Sequence, residues 1–538
     1  MAIGVLAACT GVIHDPEGAA RPDASVAIPG PLLLRRLTNA EYDRTVRDLL
    51  GQTTRVSADF PADAKVFGFD DGAVSLTISP LHAERYRDAA ERIGAEVTAS
   101  PARMASVVGC DLTGTGRAPC LARFVGSFAR RAYRRPLVDA EVQGLLHVAD
   151  VAADDPDRNA AVALIIEAVL QSPSFLFRAE FGAPDPSRPG LYRLGRFDLA
   201  SRLSYLLWGT TPDDALLDTA QAGTLDTAEG LAQTARTMLA DARAHEGLAA
   251  FYGQWLRLYT LATVHRDATQ YPSWSPELSA SMSEETSRTV DDLVWRDGAN
   301  FLDLLTGHAT FLDGRLATLY GLPPPADGTW ARTDLSDHPE RGGLLTQASY
   351  LTLTAHSEGS MLIHRGKYVR EVLLCETLPT PPANVPTIPA PVPGETDVER
   401  LERHRSDPSC NGCHRLMDPV GMGMHRYDSI GAFHLVDAQQ RAISQAGTLY
   451  GYTPPDFDGP TELSRRLRDL PEVSQCVVRQ VFRYAFGRAE VMTAAGDLPQ
   501  IERTTERFRS SQYSFREMLV SLVASDAFRY GRPAGGGS

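Results

Sequence analysis

Two cysteines and a histidine late in the chain have the residue types and the spacing to hold an iron porphyrin. Residues 410–414 read C-N-G-C-H, with Cys410, Cys413 and His414 as the reactive side chains. Two thiols three residues apart can reach both vinyl groups of one porphyrin, and the next histidine then lies under the iron as its proximal ligand. A structural zinc half-site or a thioredoxin-like redox pair are the alternatives, but neither a second ligand pair nor a βαβ context is evident. The pattern therefore predicts one covalent haem c.

The residue on the other face of the iron would decide the chemistry of such a site. Histidine and methionine together give a low-spin electron carrier, whereas an open face lets peroxide or dioxygen bind. The sequence offers these distal candidates: Met424, His404, His364, Met422, His425, Met361 and His356. By chain length alone, the ten residues after His414 can cross from one face of a porphyrin to the other, which makes Met424 a candidate. Arg365 and Lys367 are candidates for pairing with the haem propionates.

Four of the remaining cysteines divide into two pairs. Cys110 and Cys120 bracket a turn-rich loop, which predicts a local disulfide. Cys375 and Cys476 would then pair over a long separation, with buried free thiols as the alternative. Disulfides form in oxidising compartments, and bacterial c-type haem attachment needs one as well, so we predict an exported protein.

Cys9 closes a short apolar start that resembles a bacterial lipobox, Leu-Ala-Ala-Cys. In such a motif the cysteine is lipidated and becomes the mature N-terminus. No lysine or arginine precedes it, so a plain fragment of a secretory signal is the alternative. We expect a periplasmic or cell-envelope protein, anchored to the outer or inner membrane by a lipid on Cys9.

Composition excludes several classes of protein. The chain has 538 residues with 53 basic and 67 acidic side chains, a formal net charge of −14. This balance is globular, and it argues against a nucleic-acid binder, which needs a basic surface. No hydrolase elbow, zinc-protease helix or phosphate-binding loop is present. The expected partner is a redox protein or a small-molecule oxidant or reductant.

The elements that must position these residues are mostly helices, because helical periodicity recurs and strand signals are sparse. Thr38 and Glu41, for example, form a capping box before an apolar stripe. We predict a mainly α fold of several helical subdomains, with a cytochrome c-like haem segment near the C-terminus. The predicted units are 1–30 (signal remnant, lipobox and linker), 31–100 (helical), 101–158 (small, helical, with the Cys110–Cys120 pair), 159–295 (helical), 296–445 (haem-bearing, with a proline-rich connector at 378–393), 446–530 (helical) and 531–538 (flexible tail).

Several sequence blocks resemble one family. They are RLTNAEY at 36–42, YRRPL at 133–137, SFLFR at 174–178, ASRLSYLLW at 200–208, RGGLL at 341–345, HR at 404–405 and DPVG at 418–421. Together they resemble the large cytochrome-like proteins of planctomycetes and myxobacteria, which string together several domains of unknown function. The resemblance covers nearly the whole chain from about Leu32 and implies a secreted, haem-bearing architecture.

The family's haem segment carries over as Cys410, Cys413 and His414, followed by Asp418, Pro419, Gly421, Tyr427, Asp428 and Gly431. The chain departs from the family at Met422 and Met424, where bulky Phe or Leu is usual, and at His425, where Glu is usual. Our first hypothesis is an exported monohaem c-type cytochrome-like protein acting in electron transfer at the cell envelope. Two alternatives are a haem enzyme, such as a peroxidase or an oxidative enzyme on a polymer or small molecule, and an envelope interaction scaffold with structural haem.

Overall fold

The computed structural model describes residues 29–326, 328–355, 361–379, 388, 390 and 392–532. Cys9 and the predicted lipobox therefore lie outside the described residues. The fold is mainly helical, which confirms the predicted class. Its strands are short and pair as β1–β2, β3–β4–β9, β5–β6 and β7–β8, all antiparallel. They are β1 Leu34–Arg36, β2 Phe177–Ala179, β3 Ala183–Pro184, β4 Tyr192–Arg193, β5 Ala309–Leu312, β6 Ala331–Asp334, β7 Ala446–Thr448, β8 Asp456–Asp458 and β9 Tyr530–Gly531.

The N-terminal helices enclose a core of their own. The predicted capping box is present, since Thr38 Oγ1 accepts from Glu41 N at 3.1 Å and Glu41 Oε2 accepts from Thr38 N at 2.9 Å. The Cys110–Cys120 disulfide is formed, as predicted, and Cys120 lies in this core. The helices are α1 Asn39–Leu50, α2 Pro80–Thr98, α3 Pro101–Val107, α4 Arg117–Tyr133, α5 Asp139–Asp150, α6 Ala160–Gln171 and α7 Pro173–Leu176.

A second, larger core is formed mainly by apolar residues from Leu194 to Phe528, joined by Leu32 and Phe69. The sequence divides this part of the chain at 295/296 and 445/446, yet apolar residues from all three units share the one core. The helices of this part of the chain are α8 Arg196–Leu207, α9 Asp214–Gln221, α10 Ala228–Leu239, α11 Arg243–Trp255, α12 Pro276–Trp295, α13 Asp303–Thr306, α14 Gly314–Tyr320, α15 Ala348–Leu353, α16 Met361–Tyr368, α17 Asp397–Arg405, α18 Pro408–Met422, α19 Gly459–Asp469, α20 Pro471–Phe486, α21 Leu498–Ser510, α22 Phe515–Val523 and α23 Asp526–Arg529.

The predicted Cys375–Cys476 disulfide is also formed, and it joins the end of a π-helical turn, Val369–Leu373, to α20. Both cysteines are buried. The link closes a loop of 101 residues that contains α17 and α18. It therefore ties both ends of the segment that carries the C-x-x-C-H motif to the larger core.

The two ends of the described chain meet. Leu32 N donates to the carbonyl oxygen of Arg532 at 2.8 Å, and Arg532 N donates to that of Gly30 at 2.8 Å. Gly531 belongs to β9 and pairs with Tyr192, and Arg532 pairs with Gly30 and Leu32. The flexible tail predicted at 531–538 therefore begins two residues too early. No helix within the described ranges is long and apolar enough to cross a membrane.

Candidate haem attachment site

The first two turns of α18 carry the C-x-x-C-H motif. Asp407 caps the helix by accepting from Ser409 N at 2.8 Å, and Pro408 occupies the first helical position, where a missing N–H costs nothing. Positions i, i+3 and i+4 of a helix lie on one face, so Cys410, Cys413 and His414 do so here. The local sequence thus starts a helix where the motif needs one.

Cys410 and Cys413 are the free cysteines of the described chain. Cys410 is buried, and Cys413 is half-buried with its Sγ 3.7 Å from the carbonyl oxygen of Pro379. The other described cysteines form one local and one long-range disulfide, so none of them is available to pair with a motif thiol. Both motif thiols are free in this structure.

A buried carboxylate fixes the imidazole of His414. His414 Nδ1 lies 3.0 and 3.1 Å from the two carboxylate oxygens of Asp418, whose side chain has no exposed surface. A carboxylate in this position accepts the Nδ1 proton, orients the ring and leaves Nε2 as the ligand atom. Nε2 forms no hydrogen bond with the described residues. The sequence analysis missed this partner, although a helix through the motif places residues 414 and 418 one turn apart.

His404 of α17 lies beside His414 instead of opposite it. The two ring centroids are 4.7 Å apart in a T-shaped contact. Imidazoles on opposite faces of one metal would have centroids about 6 Å apart, because each metal–nitrogen bond is about 2 Å long. Burial, followed by the neighbouring His414, lowers the pKa of His404, which favours a neutral ring packed against the proximal one. This position does not suit a distal ligand.

Met424 lies two residues beyond the end of α18. The eight helical residues from His414 to Met422 already span about 12 Å, so this link is not the extended one that the reach from face to face assumes. Met424 is fully buried in the larger core, where its sulfur accepts from the Tyr350 hydroxyl at 3.4 Å. Helical rise therefore argues against Met424 as the distal ligand.

Two glycines let α16 and α18 cross with their backbones in contact. A Cβ on Gly366 would lie 1.8 Å from the carbonyl oxygen of Met417, and one on Gly421 would lie 1.8 Å from that of Leu362. These contacts make the helices antiparallel and place His364 level with residue 419, about 7 Å along α18 from His414. His364 is half-buried there.

The other distal candidates are scattered. Met361 and Met422 pack at the edge of the small apolar cluster described below, and His425 is half-buried with its pKa lowered by burial. His356 lies outside the described residues.

Arg365 is used to hold a loop and does not point to a propionate site. Its fully buried guanidinium donates to the carbonyl oxygens of Met424 at 2.8 Å, Tyr427 at 2.7 Å and Asp428 at 2.7 Å. Burial lowers the pKa of Arg365 to about 10. Lys367 lies 3.7 Å from Glu371. The guanidinium of Arg365 is therefore already engaged by three backbone carbonyls.

Apolar side chains surround the motif and suit the faces of a flat macrocycle. We call them the motif cluster: Leu362, Ile363, Leu401 and Met417, with Met361, Leu378, Ile388, Val398, Cys413 and Met422 at its edge. Within the described residues no three His, Cys, Asp or Glu side chains are gathered to hold a bare metal ion. Two free thiols, an oriented imidazole and an apolar wall together fit a covalently bound porphyrin.

The fold and the motif define a class: a large, mainly helical protein with a C-x-x-C-H helix in its C-terminal half. Five family models match it in chain order, each described as a protein of unknown function: DUF1587 at 35–99, DUF1595 at 120–180, DUF1592 at 194–322, DUF1588 at 341–437 and DUF1585 at 455–528. The chain therefore strings these five domains together, the arrangement of a multi-domain cytochrome-like family. No curated protein and no solved structure matches it. The DUF1588 match contains α16, α17, α18 and the motif.

Proposed function

We propose that this protein carries one covalent haem c on Cys410 and Cys413 and transfers electrons at the cell envelope. One observation supports the proposal most: α18 presents two unpaired thiols beside an imidazole whose Nδ1 is held by a buried carboxylate. When bound, the haem supplies a centre that gains and loses one electron. The chain supplies two thioether bonds and the Nε2 ligand of His414.

Asp418 would set the character of that ligand. A carboxylate that accepts the Nδ1 proton raises the basicity of the imidazole. A more basic ligand favours the oxidised iron and lowers the reduction potential. Asp418 is fully buried, with Arg405 Nε 3.9 Å away, so solvent screens its charge little. Such a site suits a donor of electrons at low potential.

The disulfides support a location outside the cytoplasm. Both pairs would be reduced by cytosolic thiols in most bacteria, whereas the periplasm maintains them. The redox partner would then be another envelope protein or a small oxidant or reductant, and Cys9 would supply a lipid anchor.

Expression in the periplasm with the c-type maturation machinery tests the proposal. A haem stain on a denaturing gel should mark the wild-type chain, whereas Cys410→Ser combined with Cys413→Ser should remove the stain completely. Cys110→Ser with Cys120→Ser is the matched control, because it removes two thiols of the same chain and should leave the stain. An unstained wild-type chain, or one that carries stoichiometric zinc, would refute the proposal.

A haem enzyme is the second candidate, and the contacts of two distal candidates favour it. Met424 bonds to the Tyr350 hydroxyl inside the larger core and His404 packs edge-on against His414, so both are engaged within the protein, which would leave the second iron face open. Cyanide added to the stained, oxidised protein distinguishes the two functions. A carrier with a protein-derived sixth ligand should keep its spectrum, and an enzyme with an open face should shift it.

A further inference from the structure

A long groove crosses the surface where the N-terminal core meets the larger core. It consists of two cavities, of about 470 Å³ and about 550 Å³, that share Phe181 and Asp198 as walls. The groove lies between β2, the chain that leads into β3, and the start of α8. It is separate from the motif cluster, with which it shares no residue.

The groove has an aromatic wall. Phe181 is 77% exposed although it is large and apolar, and Gly182, with φ +59°, turns the chain directly after it. Phe177, Phe197 and Tyr133 line the same cavity. Burying an exposed phenylalanine is worth about 1.5–3 kcal/mol, so this ring is a favourable platform for a ligand with an apolar face.

Two polar groups on one face of α8 lack partners at the groove. Ser201 is only 8% exposed, and its Oγ forms no hydrogen bond with the described residues. Asp198, one turn earlier, accepts from Gly195 N through Oδ2, which leaves Oδ1 without a donor from the described chain. Burial, followed by the charge of Glu180, raises the pKa of Asp198 to about 6. A buried, unsatisfied hydroxyl costs about 1–3 kcal/mol, which a ligand that bonds to it would recover.

The charges in the groove favour a neutral ligand. Arg135 pairs with Glu141 at 2.7 Å, and Arg178 pairs with Glu41 at 2.9 Å. Arg134 donates to the backbone carbonyls of residues 132, 174, 175 and 177. These guanidinium groups are occupied, so they offer an anion little, while their positive charges oppose a cation near Asp198.

An added peptide strand does not fit the exposed sheet edge. The edge strand β3 has two residues, and the second is Pro184, which has no N–H to donate. A sugar ring does fit the remaining groups, because one face carries C–H bonds that pack on an aromatic ring while its rim carries hydroxyls. The two cavities, of about 550 Å³ and about 470 Å³, leave room for more than one such ring.

We propose that this groove binds a neutral oligosaccharide, with one pyranose ring stacked on Phe181 and its hydroxyls bonded to Asp198 Oδ1 and Ser201 Oγ. The neighbouring sugar units occupy the two cavities on either side of Phe181.

Isothermal titration calorimetry on the full chain tests the proposal, with hexaoses of β-1,4-glucan, β-1,4-xylan and β-1,3-glucan as probes. At least one hexaose should bind, and Phe181→Ala should weaken its binding about tenfold or more. Phe67→Ala is the matched control, because Phe67 is 48% exposed elsewhere on the surface. Failure of all three hexaoses to bind, or equal losses in both variants, would overturn the proposal.

Ser201→Ala separates binding from folding. Removing an unsatisfied buried hydroxyl should leave the unfolding temperature unchanged or raise it, yet hexaose binding should fall about threefold to tenfold. Unchanged hexaose affinity in this variant would overturn the assigned contact. Binding of tetramethylammonium in place of the hexaoses would show a cation site instead.

Discussion

Two regions of the C-terminal half use cysteine in opposite ways. In the larger core, Cys375 and Cys476 are joined, and the Gln480 side-chain amide lies 3.4 Å from the Cys375 sulfur. In the motif cluster, Cys410 and Cys413 stay free on one turn of α18. A single stretch of chain connects the regions, because α16 packs in the motif cluster and continues into the π-helical turn before Cys375. The comparison suggests that one region supplies stability and the other is kept for a cofactor.

Breaking the Cys375–Cys476 disulfide should have the largest effect on stability. Cys375→Ser with Cys476→Ser frees a 101-residue loop, and the chain-entropy model gives a loss of about 4–5 kcal/mol in the free energy of unfolding. Urea denaturation followed by circular dichroism measures it, and the haem stain should persist. The same loss in the Cys410→Ser, Cys413→Ser protein would contradict the division of roles.

A side chain added between α16 and α18 tests the backbone contact that joins the motif cluster to the larger core. A methyl group at Gly366 would meet the Met417 carbonyl oxygen at 1.8 Å, so Gly366→Ala must push the helices apart. We expect a loss of about 3 kcal/mol in the free energy of unfolding. Gly126→Ala in α4 is the control, since no atom lies within 4 Å of its Cβ position and alanine should stabilise that helix. Equal urea midpoints for the two variants would be inconsistent with backbone contact.

Removing the charge of Asp418 should change the haem with little effect on the fold. Asp418→Asn takes the carboxylate from His414 and should raise the reduction potential by about 60–120 mV, which corresponds to a tenfold to hundredfold second-shell effect. A redox titration followed by visible spectra measures the shift. Glu402→Gln, which removes an exposed carboxylate from the adjacent α17, should leave the potential within a few millivolts. A shift of similar size in both variants would argue against a direct role of Asp418.

The larger core also contains a buried carboxyl group, which predicts a pH dependence of stability. Glu285 accepts from the hydroxyls of Thr310 and Tyr320, both at 2.7 Å, and burial raises its pKa from 4.5 to about 7. The folded state therefore holds this proton more tightly than the unfolded state. Stability should fall by about 1–3 kcal/mol as the pH rises from 4.5 through 7. Urea midpoints measured across that range should change less in Glu285→Gln, and an identical profile would refute the assignment.

Local patterns in the sequence predicted the local structure well. The Thr38–Glu41 capping box and both disulfides follow from residue types and cysteine arithmetic, and the structure contains all three. The continuous larger core could not be predicted, because contacts between distant segments leave no periodic signal in either segment.

The site was predicted less completely, and Pro419 explains why. A proline inside α18 argues against a helix through 408–422, yet the structure keeps the helix across it. If no helix is assumed there, nothing in the sequence indicates that His414 pairs with Asp418, and an extended link from His414 lets Met424 reach the iron. With the helix, Asp418 lies next to His414, and the rise of the helix to Met422 argues against Met424 as the distal ligand.

The meeting of Gly30 and Leu32 with Arg532 makes the described chain nearly a closed ring. A tether that began at Cys9 and any fusion placed after residue 532 would leave the surface from the same spot. A circularly permuted protein, with 30 and 532 linked and new termini opened in the exposed turn at 154–158, should keep both cores. Surface attachment could then be moved to another side of the molecule, which would test how the proposed haem site must be oriented at the envelope.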